Sequence, residues 1–264
     1  MSASPSPLRP ADVVSTLRAA GSVFAEDEAR LILAEAQTPE QVAAMVEQRA
    51  SGLPLEHVLG WAEFCGRRIV VEPGVFVPRR RTELLVHQAA ALLRPDVGSV
   101  VVDLCCGSGA VGAALVAAVP GVELHAADVD PAAVRCARRN LGPVGRVYEG
   151  DLFEPLPGSL RGRIDVLVTN VPYVPTAEIG LLPPEARVHE SRVALDGGAD
   201  GLDVLRRVSG GAREWLAPGG HVLVETSEQQ APEALRVLAG DGLDPRVVGS
   251  DELNATVVVA TRPS

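Results

Sequence analysis

The stretch Ile164-Asp165-Val166-Leu167-Val168-Thr169-Asn170-Val171-Pro172-Tyr173 decides the fold. Its first five residues are mostly aliphatic and show no polar alternation, which is typical of a strand buried on both faces of a sheet. A strand that ends in Asn-Val-Pro-Tyr delivers an amide, two backbone carbonyls and an aromatic ring to the carboxyl edge of the sheet. Open α/β sheets bind ligands at this edge. An isolated motif of this kind also fits a plain proline turn, so its meaning depends on a second motif.

That second motif is Val101-Val102-Asp103-Leu104-Cys105-Cys106-Gly107-Ser108-Gly109-Ala110, which reads as a strand, a glycine-containing turn and a helix start. Gly107 and Gly109 allow the backbone to approach a ligand closely. Asp128 follows at the end of the next predicted strand, as does the acid that binds ribose hydroxyls in a βαβ nucleotide unit. Asp151 ends the third strand, where the amino group of an adenine would lie.

Two cofactors are compatible with this unit. The pattern Gly107-x-Gly109-x-x-Gly112 does not exclude a dinucleotide, whose pyrophosphate would lie at the helix N-terminus. Asp103, however, lies in the approach to the loop, where a carboxylate suits the ammonium group of an amino acid better than a pyrophosphate. S-adenosylmethionine carries such an ammonium. A purely structural role for Asp103, accepting hydrogen bonds from loop N–H groups, is the remaining alternative.

The rest of the chain surrounds this unit with two kinds of pattern. From Pro10 to about Gly60 the sequence predicts three or four short helices, one of them opened by a capping box at 38–41. Residues 63–71 alternate weakly around a glycine and predict a hairpin, and 75–78 predict a further short extended piece. From Gly98 onward, strands and helices alternate, which predicts a doubly wound parallel sheet. The last two strands, near 246–248 and 256–260, leave no room for a crossover helix and should pair antiparallel.

Composition excludes some function classes. The chain has 264 residues, a net charge of −10 and a pI near 5.0, and all 24 basic residues are arginine. Non-specific binding to nucleic acid or to an anionic membrane needs a basic surface, so neither is expected. The N-terminus lacks the apolar region of a signal peptide, which predicts a cytoplasmic protein. The four cysteines show no spacing suited to zinc, so no metal is expected.

Taken together, the motifs resemble those of a known family. The segment Asp103–Gly109 is similar to the cofactor motif of class I methyltransferases. With Asn170-Val171-Pro172-Tyr173 it resembles the HemK/PrmC family, which methylates the side-chain amide of glutamine in peptide-chain release factors. Three further stretches resemble the same family: Pro54–Gly60 with Glu63-Phe64, Pro73–Arg79 with Thr82-Glu83, and Ala194–Leu202.

The resemblance implies a fold, a cofactor and a set of site residues. The implied fold is a doubly wound, seven-stranded class I methyltransferase sheet with its last strand antiparallel, at residues 83–264. A helical substrate-recognition domain (1–60) and a hairpin linker (61–82) precede it. S-adenosyl-L-methionine is the implied cofactor, and a protein with an exposed glutamine, a release factor or another, is the implied partner of a monomeric enzyme. The implied cofactor-binding residues are Asp103, Cys105, Cys106, Gly107, Ser108, Gly109, Asp128, Asp151, Leu152 and Asn170, and the implied catalytic residues are Asn170, Val171, Pro172 and Tyr173.

The chemistry of amide methylation explains the catalytic set. An amide nitrogen is a poor nucleophile because its lone pair is delocalised, so the enzyme must aim that lone pair at the methyl group. The side-chain oxygen of Asn170 and the backbone carbonyl of Val171 can grip the two N–H groups, while Tyr173 packs against the amide plane. Orientation can contribute up to ~7–11 kcal/mol, against about 0.5–1.5 kcal/mol for one hydrogen bond. We therefore expect positioning to carry the catalysis.

Two departures from the family pattern leave the substrate open. Val171 replaces the first proline of Asn-Pro-Pro-Tyr, and Arg80-Arg81 stands where the family has proline and an acid. One alternative function is methylation of a nucleobase such as adenine, or of another small amide or amine. The other is a non-catalytic cofactor-binding module. Glu225 and Asp196 are compatible with a functional role, but helix-capping or loop roles are favoured for both. His189 and Glu190 are predicted to lie in a loop that covers the site, where a structural role and substrate contact both stay open.

Overall fold

The N-terminal part of the chain is helical. The computed structural model describes residues 8–95 and 98–264. The described chain begins with the helices α1 (Pro10–Ala19), α2 (Ala25–Glu35), α3 (Pro39–Ala50) and α4 (Leu55–Leu59). Their apolar faces pack on one another around Leu17 and Ile32. These helices therefore have a small core of their own, as the sequence predicts.

The predicted capping box at the start of α3 is only half formed. The Thr38 hydroxyl accepts a hydrogen bond from the Gln41 N–H at 3.3 Å, which satisfies one free amide of the first turn. The Gln41 side chain, however, accepts from the N–H of Gln37 at 2.7 Å rather than from that of Thr38. The helix begins where predicted, but the reciprocal bond is shifted by one residue.

A hairpin connects the helices to the sheet. Its strands are β1 (Trp61–Phe64) and β2 (Arg67–Val70), which pair antiparallel. Cys65 and Gly66 form the turn with φ values of 49° and 69°, the left-handed conformation that two-residue hairpins require. The Cys65 N–H donates to Glu83 Oε1 at 3.0 Å, and Glu83 begins helix α5 (Glu83–Leu92). The hairpin is thereby fastened to the first helix of the sheet.

The remaining described residues form the predicted α/β sheet with its covering helices. The strands are β3 (Val100–Leu104), β4 (Glu123–Asp128), β5 (Gly145–Glu149), β6 (Ile164–Thr169), β7 (Leu216–Thr226), β8 (Asp244–Ser250) and β9 (Ala255–Thr261). The helices are α6 (Ala110–Ala118), α7 (Pro131–Leu141), α8 (Pro184–His189), α9 (Asp203–Trp215) and α10 (Ala231–Gly240). The seven strands follow the order β5-β4-β3-β6-β7-β9-β8.

Strand directions confirm the predicted fold class. Strands β3 to β7 are parallel wherever they are neighbours. Strand β9 is antiparallel to both β7 and β8. The last strand is thus the antiparallel one, in a seven-stranded sheet of the class I methyltransferase type.

The strand order brings the two sequence motifs together. Strand β3 lies beside β6, with Leu104 opposite Thr169 at their carboxyl ends. The Thr169 hydroxyl donates to the Leu104 carbonyl at 2.9 Å and ties these ends to each other. The chain leaves β3 through the glycine loop and leaves β6 through Asn170. Both motifs therefore face the crevice at which the strand order changes direction.

Arg49 joins the N-terminal helices to the segment between β6 and β7. Its guanidinium binds Glu28 of α2 through Nε at 2.8 Å and Nη2 at 3.0 Å. Its Nη1 binds Glu185 of α8 at 2.6 Å and the Leu53 carbonyl at 3.0 Å. The Arg49 and Glu28 side chains are only 13% and 10% exposed. Removal of the arginine would therefore leave a nearly buried carboxylate without its partner.

Replacement of Arg49 is expected to destabilise the protein strongly. Arg49→Leu should lower the free energy of unfolding by about 3–5 kcal/mol, the typical cost of an unpaired buried charge. Arg30→Leu is the matched control, because Arg30 and Asp27 form a pair whose side chains are both 71% exposed. That change should cost less than about 1 kcal/mol. Urea denaturation measures both, and equal losses would contradict the assignment.

Candidate functional site

One large cavity lies at the carboxyl ends of the parallel strands. It has a volume of about 1220 Å³ and is lined by the residues after β3, β4, β5, β6 and β7, together with parts of 54–56, 74–82 and 182–195. The predicted residues that line it are Asp103, Cys105, Cys106, Gly107, Ser108, Asp128, Asp151, Leu152, Asn170, Val171, Pro172 and Tyr173. Nearly all the residues singled out from the sequence thus meet in one place.

Gly109 is the exception among the predicted site residues. It does not belong to the cavity lining. Its φ is 76°, and a Cβ at this position would lie 3.2 Å from the Ala137 Cβ and from Leu141 Cγ of α7. The need for a glycine at position 109 is therefore explained by packing against α7 and by the positive φ, without any contact to a ligand.

The loop after β3 is held in shape by Asp128. Asp128 Oδ2 accepts from the Gly107 N–H at 2.8 Å, and Oδ1 accepts from the Asp130 N–H at 2.9 Å. The Cys106 N–H donates to the Ala127 carbonyl at 3.1 Å. A Cβ on Gly107 would have no atom within 4 Å, so this glycine faces open space. The loop is thus fastened to the end of β4 and presents bare backbone to the cavity.

Asp103 lies buried beneath this loop. Its side chain accepts a hydrogen bond from the Gly112 N–H in the first turn of α6 at 2.9 Å through Oδ2. No described residue donates to its Oδ1. Burial raises the pKa of Asp103 to about 7, and the nearby Asp128 charge adds to the rise, whereas the Gly112 N–H opposes it. The structural role of Asp103 leaves the predicted ligand role open, because the bond from Gly112 uses only Oδ2.

Asp151 and Leu152 follow β5 and line the cavity. The Asp151 carboxylate pairs with Arg207 of α9. Leu152 has a φ of 47°, which is unusual for a residue with a bulky side chain. Such conformations persist only where the surroundings enforce them, and they concentrate at functional sites.

The backbone after β6 is enclosed by a glycine-rich loop. Val174 pairs with this loop, donating to the Leu195 carbonyl at 3.1 Å and accepting from Gly197 at 2.9 Å. A Cβ on Gly197 would lie 2.7 Å from the Pro172 carbonyl oxygen, and one on Gly201 2.2 Å from that of Tyr173. Asp196 accepts from Thr176 and from the Gly198 N–H within the same loop. The loop role predicted for Asp196 is confirmed.

Gln230 fixes the end of the motif and was missed in the sequence. Its side-chain amide donates to the Tyr173 carbonyl at 2.9 Å and to the Asp200 carbonyl at 3.0 Å. No described donor binds the Val171 carbonyl. Of the backbone acceptors that the motif offers, the one at Val171 is therefore still available to a ligand.

Glu225 is a buried carboxylate of the site, and the prediction of a capping or loop role for it was wrong. It lies near the end of β7, where its Oε1 accepts from the Tyr173 hydroxyl at 3.4 Å and from Arg81 Nε at 3.3 Å. Its Oε2 is buried without a hydrogen-bond partner. Burial raises the pKa of Glu225 and, together with the Glu225 charge, raises the pKa of Tyr173 to about 12. The carboxyl edge of β7 could have revealed this residue, because β7 is the neighbour of β6.

The segment that covers the cavity is anchored by Glu190. Glu190 Oε1 accepts from the Val77 N–H at 3.1 Å and from Arg79 Nη2 at 2.6 Å. Gly74 also forms a β-bridge with Glu190. Glu190 thus joins the chain before α5 to the chain after α8, whereas His189 does not line the cavity.

The charge of the cavity indicates the kind of ligand it suits. Acidic side chains outnumber arginines among the lining residues. Asp103 and Asp128 lie next to the glycine loop (105–109), whose backbone faces the cavity. A positively charged ligand therefore fits the half of the cavity formed by this loop. A group with paired N–H donors fits the half around Asn170, where acceptors are available.

Comparison with known proteins identifies similar chains. Residues 66–198 match the family model described as "Methyltransferase small domain". The release factor glutamine methyltransferase of Geobacter sulfurreducens is 40% identical over 77% of this chain and 72% of its own length. The 4-amino-L-phenylalanine/4-methylamino-L-phenylalanine methyltransferase of Streptomyces pristinaespiralis is 38% identical over 70% of this chain and 65% of its own. A crystal structure of a methyltransferase from Pyrococcus furiosus covers 75% of this chain and 90% of that one with a TM-score of 0.57 at 17% identity. This last likeness concerns the fold alone.

Protonation of Asp103 should make stability depend on pH. Its pKa rises from 3.8 to about 7 on folding, so the folded chain binds this proton more tightly than the unfolded chain does. The free energy of unfolding therefore keeps its full contribution from Asp103 below pH 4. It falls as the pH rises through 7, by roughly 4 kcal/mol at most. Asp103→Asn, which can still accept from the Gly112 N–H, should lack this decline. Urea denaturation of the ligand-free protein between pH 5 and 8 measures it, and parallel curves for the two proteins would contradict the assignment.

Proposed function

The chain belongs to the release factor glutamine methyltransferase family, and from this premise we propose that it transfers a methyl group from S-adenosyl-L-methionine to the side-chain amide nitrogen of a glutamine. The proposed substrate is a protein, with a peptide-chain release factor as the first candidate. The observation that carries the proposal is the convergence, in one cavity, of an acid-lined glycine loop and the Asn170–Tyr173 motif. The first suits a cationic nucleoside, and the second suits a primary amide.

The residues of the loop half fit S-adenosyl-L-methionine. This cofactor carries a cationic methyl sulfonium, from which the methyl group comes, and an amino-acid ammonium. We assign Asp103 Oδ1 to the ammonium, because Oδ2 is already bonded to Gly112. Asp128 is assigned to the ribose hydroxyls. Its Oδ2 accepts from Gly107 and its Oδ1 from Asp130, and each carboxylate oxygen can accept a further hydrogen bond. Asp151 and Leu152 are assigned to the adenine.

The loop itself contributes backbone rather than side chains. Cys105, Cys106, Gly107 and Ser108 line the cavity, and burial raises the pKa of both cysteine thiols. The thiols are therefore protonated at neutral pH and do not compete as nucleophiles for a methyl group. Gly109 supports this loop from below through its packing on α7.

Asn170 and Val171 are assigned to hold the acceptor amide. Asn170 Oδ1 and the Val171 carbonyl can each accept one N–H of a glutamine side chain, which fixes the nitrogen between two planar acceptors. Tyr173 lines the same cavity, and its ring is assigned to pack on the amide plane. The nitrogen becomes acidic only as the new bond forms, so its proton can leave to solvent afterwards. Orientation, which can contribute up to ~7–11 kcal/mol, is the main catalytic effect that these residues supply.

The chain is divided into three parts, of which the N-terminal one is assigned to substrate recognition. We propose that residues 1–60 form the recognition domain, because Pro54 and Glu56 line the cavity together with residues of the sheet. The hairpin linker (61–82) and the catalytic domain (83–264) complete the division. A release factor acts on the ribosome, so the proposal places the chain in the cytoplasm. The proposed oligomeric state is a monomer. The helices within residues 8–95 and 98–264 do not combine the length and the hydropathy that a membrane span requires.

A second candidate substrate is an aromatic amine. The relative from Streptomyces pristinaespiralis is named for methylation of an amino group on a phenylalanine ring. An exocyclic amine presents the same paired N–H donors as an amide. Methyl transfer should therefore be compared on a glutamine-containing release-factor fragment and on 4-amino-L-phenylalanine.

Asn170→Ala should abolish transfer to glutamine. The change removes one of the two acceptors that aim the nitrogen, so we expect kcat to fall by at least about 100-fold, a modest part of the available orientation effect. Affinity for the cofactor, measured by calorimetry, should change by much less. Mass spectrometry of the glutamine fragment measures transfer, and a fragment with glutamate in place of glutamine is the control. Turnover within a few-fold of wild type would show that Asn170 is not the amide acceptor.

Val171→Pro should retain activity on the native substrate. The Val171 carbonyl is the group that the mechanism uses, and no described residue accepts a hydrogen bond from the Val171 N–H. Proline restricts the unfolded chain and can stabilise by ~0.4–1 kcal/mol. This gain is offset in part because Val171 is 3% exposed and packs in the core beneath the site. We therefore expect a melting temperature close to that of wild type.

Two other outcomes for Val171→Pro are informative. If the native substrate is a protein other than a release factor, and the variant loses activity on it but gains activity on a release-factor fragment, Val171 selects the substrate through the shape of the pocket. If it is destabilised and inactive, the backbone at Val171 does more than offer a carbonyl, and the proposed grip is wrong.

A further inference from the structure

Gln230 directly precedes α10, but its side chain does not cap that helix. The spacing Ser227-x-x-Gln230 is that of a capping box, in which the glutamine side chain would accept from the backbone N–H of the serine. The serine half is present, because the Ser227 hydroxyl accepts from the Gln230 N–H at 3.2 Å. The Gln230 side chain, however, is bound elsewhere. The start of α10 therefore does not explain its role.

Both hydrogens of the Gln230 amide are used. Nε2 donates to the Tyr173 carbonyl at 2.9 Å and to the Asp200 carbonyl at 3.0 Å, and Oε1 accepts from the Ser227 hydroxyl at 2.8 Å. Carbonyl oxygens only accept, so the group that lies between Tyr173 and Asp200 must be the NH2 group. The orientation of this side chain therefore follows from its partners and does not depend on the ionisation of any residue.

The glycine-rich loop (195–201) leaves room for this contact at Gly201. The φ of Gly201 is 79°. A Cβ at this position would lie 2.2 Å from the Tyr173 carbonyl oxygen and 2.3 Å from Gln230 Nε2. Any side chain on Gly201 would thus take the place of the hydrogen bond. The loop and the Gln230 amide therefore form one fitted contact around the Tyr173 carbonyl.

The Asn170–Tyr173 motif is held from both sides. Before it, Thr169 is paired with a residue of β3 and with a residue of β7. After it, Val174 forms a β-bridge with the glycine-rich loop. In the part of the chain that the structure describes, the Gln230 amide is the only side-chain donor to the backbone of the motif itself. Removal of this amide would therefore release the C-terminal end of the motif.

We propose that Gln230 is a positioning residue, which fixes the Tyr173 peptide group and, through it, the Val171 carbonyl that accepts from the substrate amide. The ring of Pro172 locks the φ angle between these two groups, so a shift of Tyr173 is passed on to Val171 rather than absorbed. Misplacement of a reacting group by about 1 Å can cost on the order of 100-fold in rate. This inference rests on the proposed function, because it concerns the acceptor assigned there.

The first test moves the same substitution by one residue. Gln230→Glu replaces the NH2 group by an oxygen at nearly the same volume. An ionised carboxyl cannot donate to the two carbonyls, so we expect kcat for the glutamine fragment to fall at least about tenfold, while cofactor affinity changes much less. Gln229→Glu is the matched control, because Gln229 is exposed and does not line the cavity; its kcat should stay within about twofold of wild type. Equal kcat values for the two variants would overturn the proposal.

The pH dependence of Gln230→Glu distinguishes positioning from general damage to the fold. A protonated carboxyl has one O–H to donate, and two neighbouring carbonyls raise the pKa of the introduced group above its usual value of about 4.3. The ratio of its kcat to that of wild type should therefore rise as the pH falls from about 8 to about 5, where one bond to a carbonyl is regained. Gln230→Met cannot be protonated and should keep a low ratio throughout. A ratio for Gln230→Glu that does not rise would overturn the proposal.

A measurement without turnover separates this inference from the proposed function. The chain has two tyrosines, Tyr148 and Tyr173, whose ring signals can be followed by NMR. Gln230→Met should shift the signals of Tyr173 and leave those of Tyr148 in place, whereas Gln229→Glu should shift neither. Unchanged Tyr173 signals would overturn the positioning role, even in a slow variant. If wild type methylates no glutamine while the signals shift as expected, only the proposed substrate fails. Gln230→Met also keeps the proposal testable if Gln230→Glu does not fold.

Discussion

The parallel pairing of β3 with β6 is the constraint on which the rest of the site depends. It sets Leu104 opposite Thr169, and the Thr169 hydroxyl joins the two strand ends. The glycine loop and Asn170 begin one residue beyond these ends. A shift of this pairing by one residue would reverse the faces of the strand and would carry one motif away from the other. The distance between the two halves of the cavity is thus decided by the register of two buried strands.

Burial of acids gives the cavity its chemical preference. Asp103, Asp128 and Glu225 all have raised pKa values because they are removed from solvent. In the absence of a ligand this burial opposes folding, since an ionised carboxylate is costly in a dry interior. A bound cation or a set of hydrogen-bond donors recovers part of that cost. Burial of these carboxylates therefore destabilises the ligand-free protein and at the same time favours ligands that carry positive charge or N–H donors.

Much of the fold was predictable because its signals are local. The buried run of β6, the glycines after β3 and the missing crossover between β8 and β9 each follow from short stretches of sequence. The contacts of Glu225 and Gln230 with Tyr173 were not predicted, because they join residues 52 and 57 positions apart in the chain. Gly109 stays a predicted cofactor contact, although it does not line the cavity and packs on α7. A glycine required by helix packing looks the same in a sequence as one required by a ligand, and only the position of α7 distinguishes them.

The two departures from the family pattern, Val171 and Arg81, have different physical consequences. At position 171 the proposed mechanism uses the backbone carbonyl, so a change of side chain would leave that acceptor in place and alter only the buried packing around Val171. Arg81 instead adds a charge that binds Glu225 and lies 5.9 Å from the centre of the Tyr173 ring. Its side chain is 45% exposed, so it also faces whatever enters the cavity. We therefore expect substitution of Arg81 to change substrate choice more than substitution of Val171 does, because Arg81 lines the cavity with a half-exposed charge.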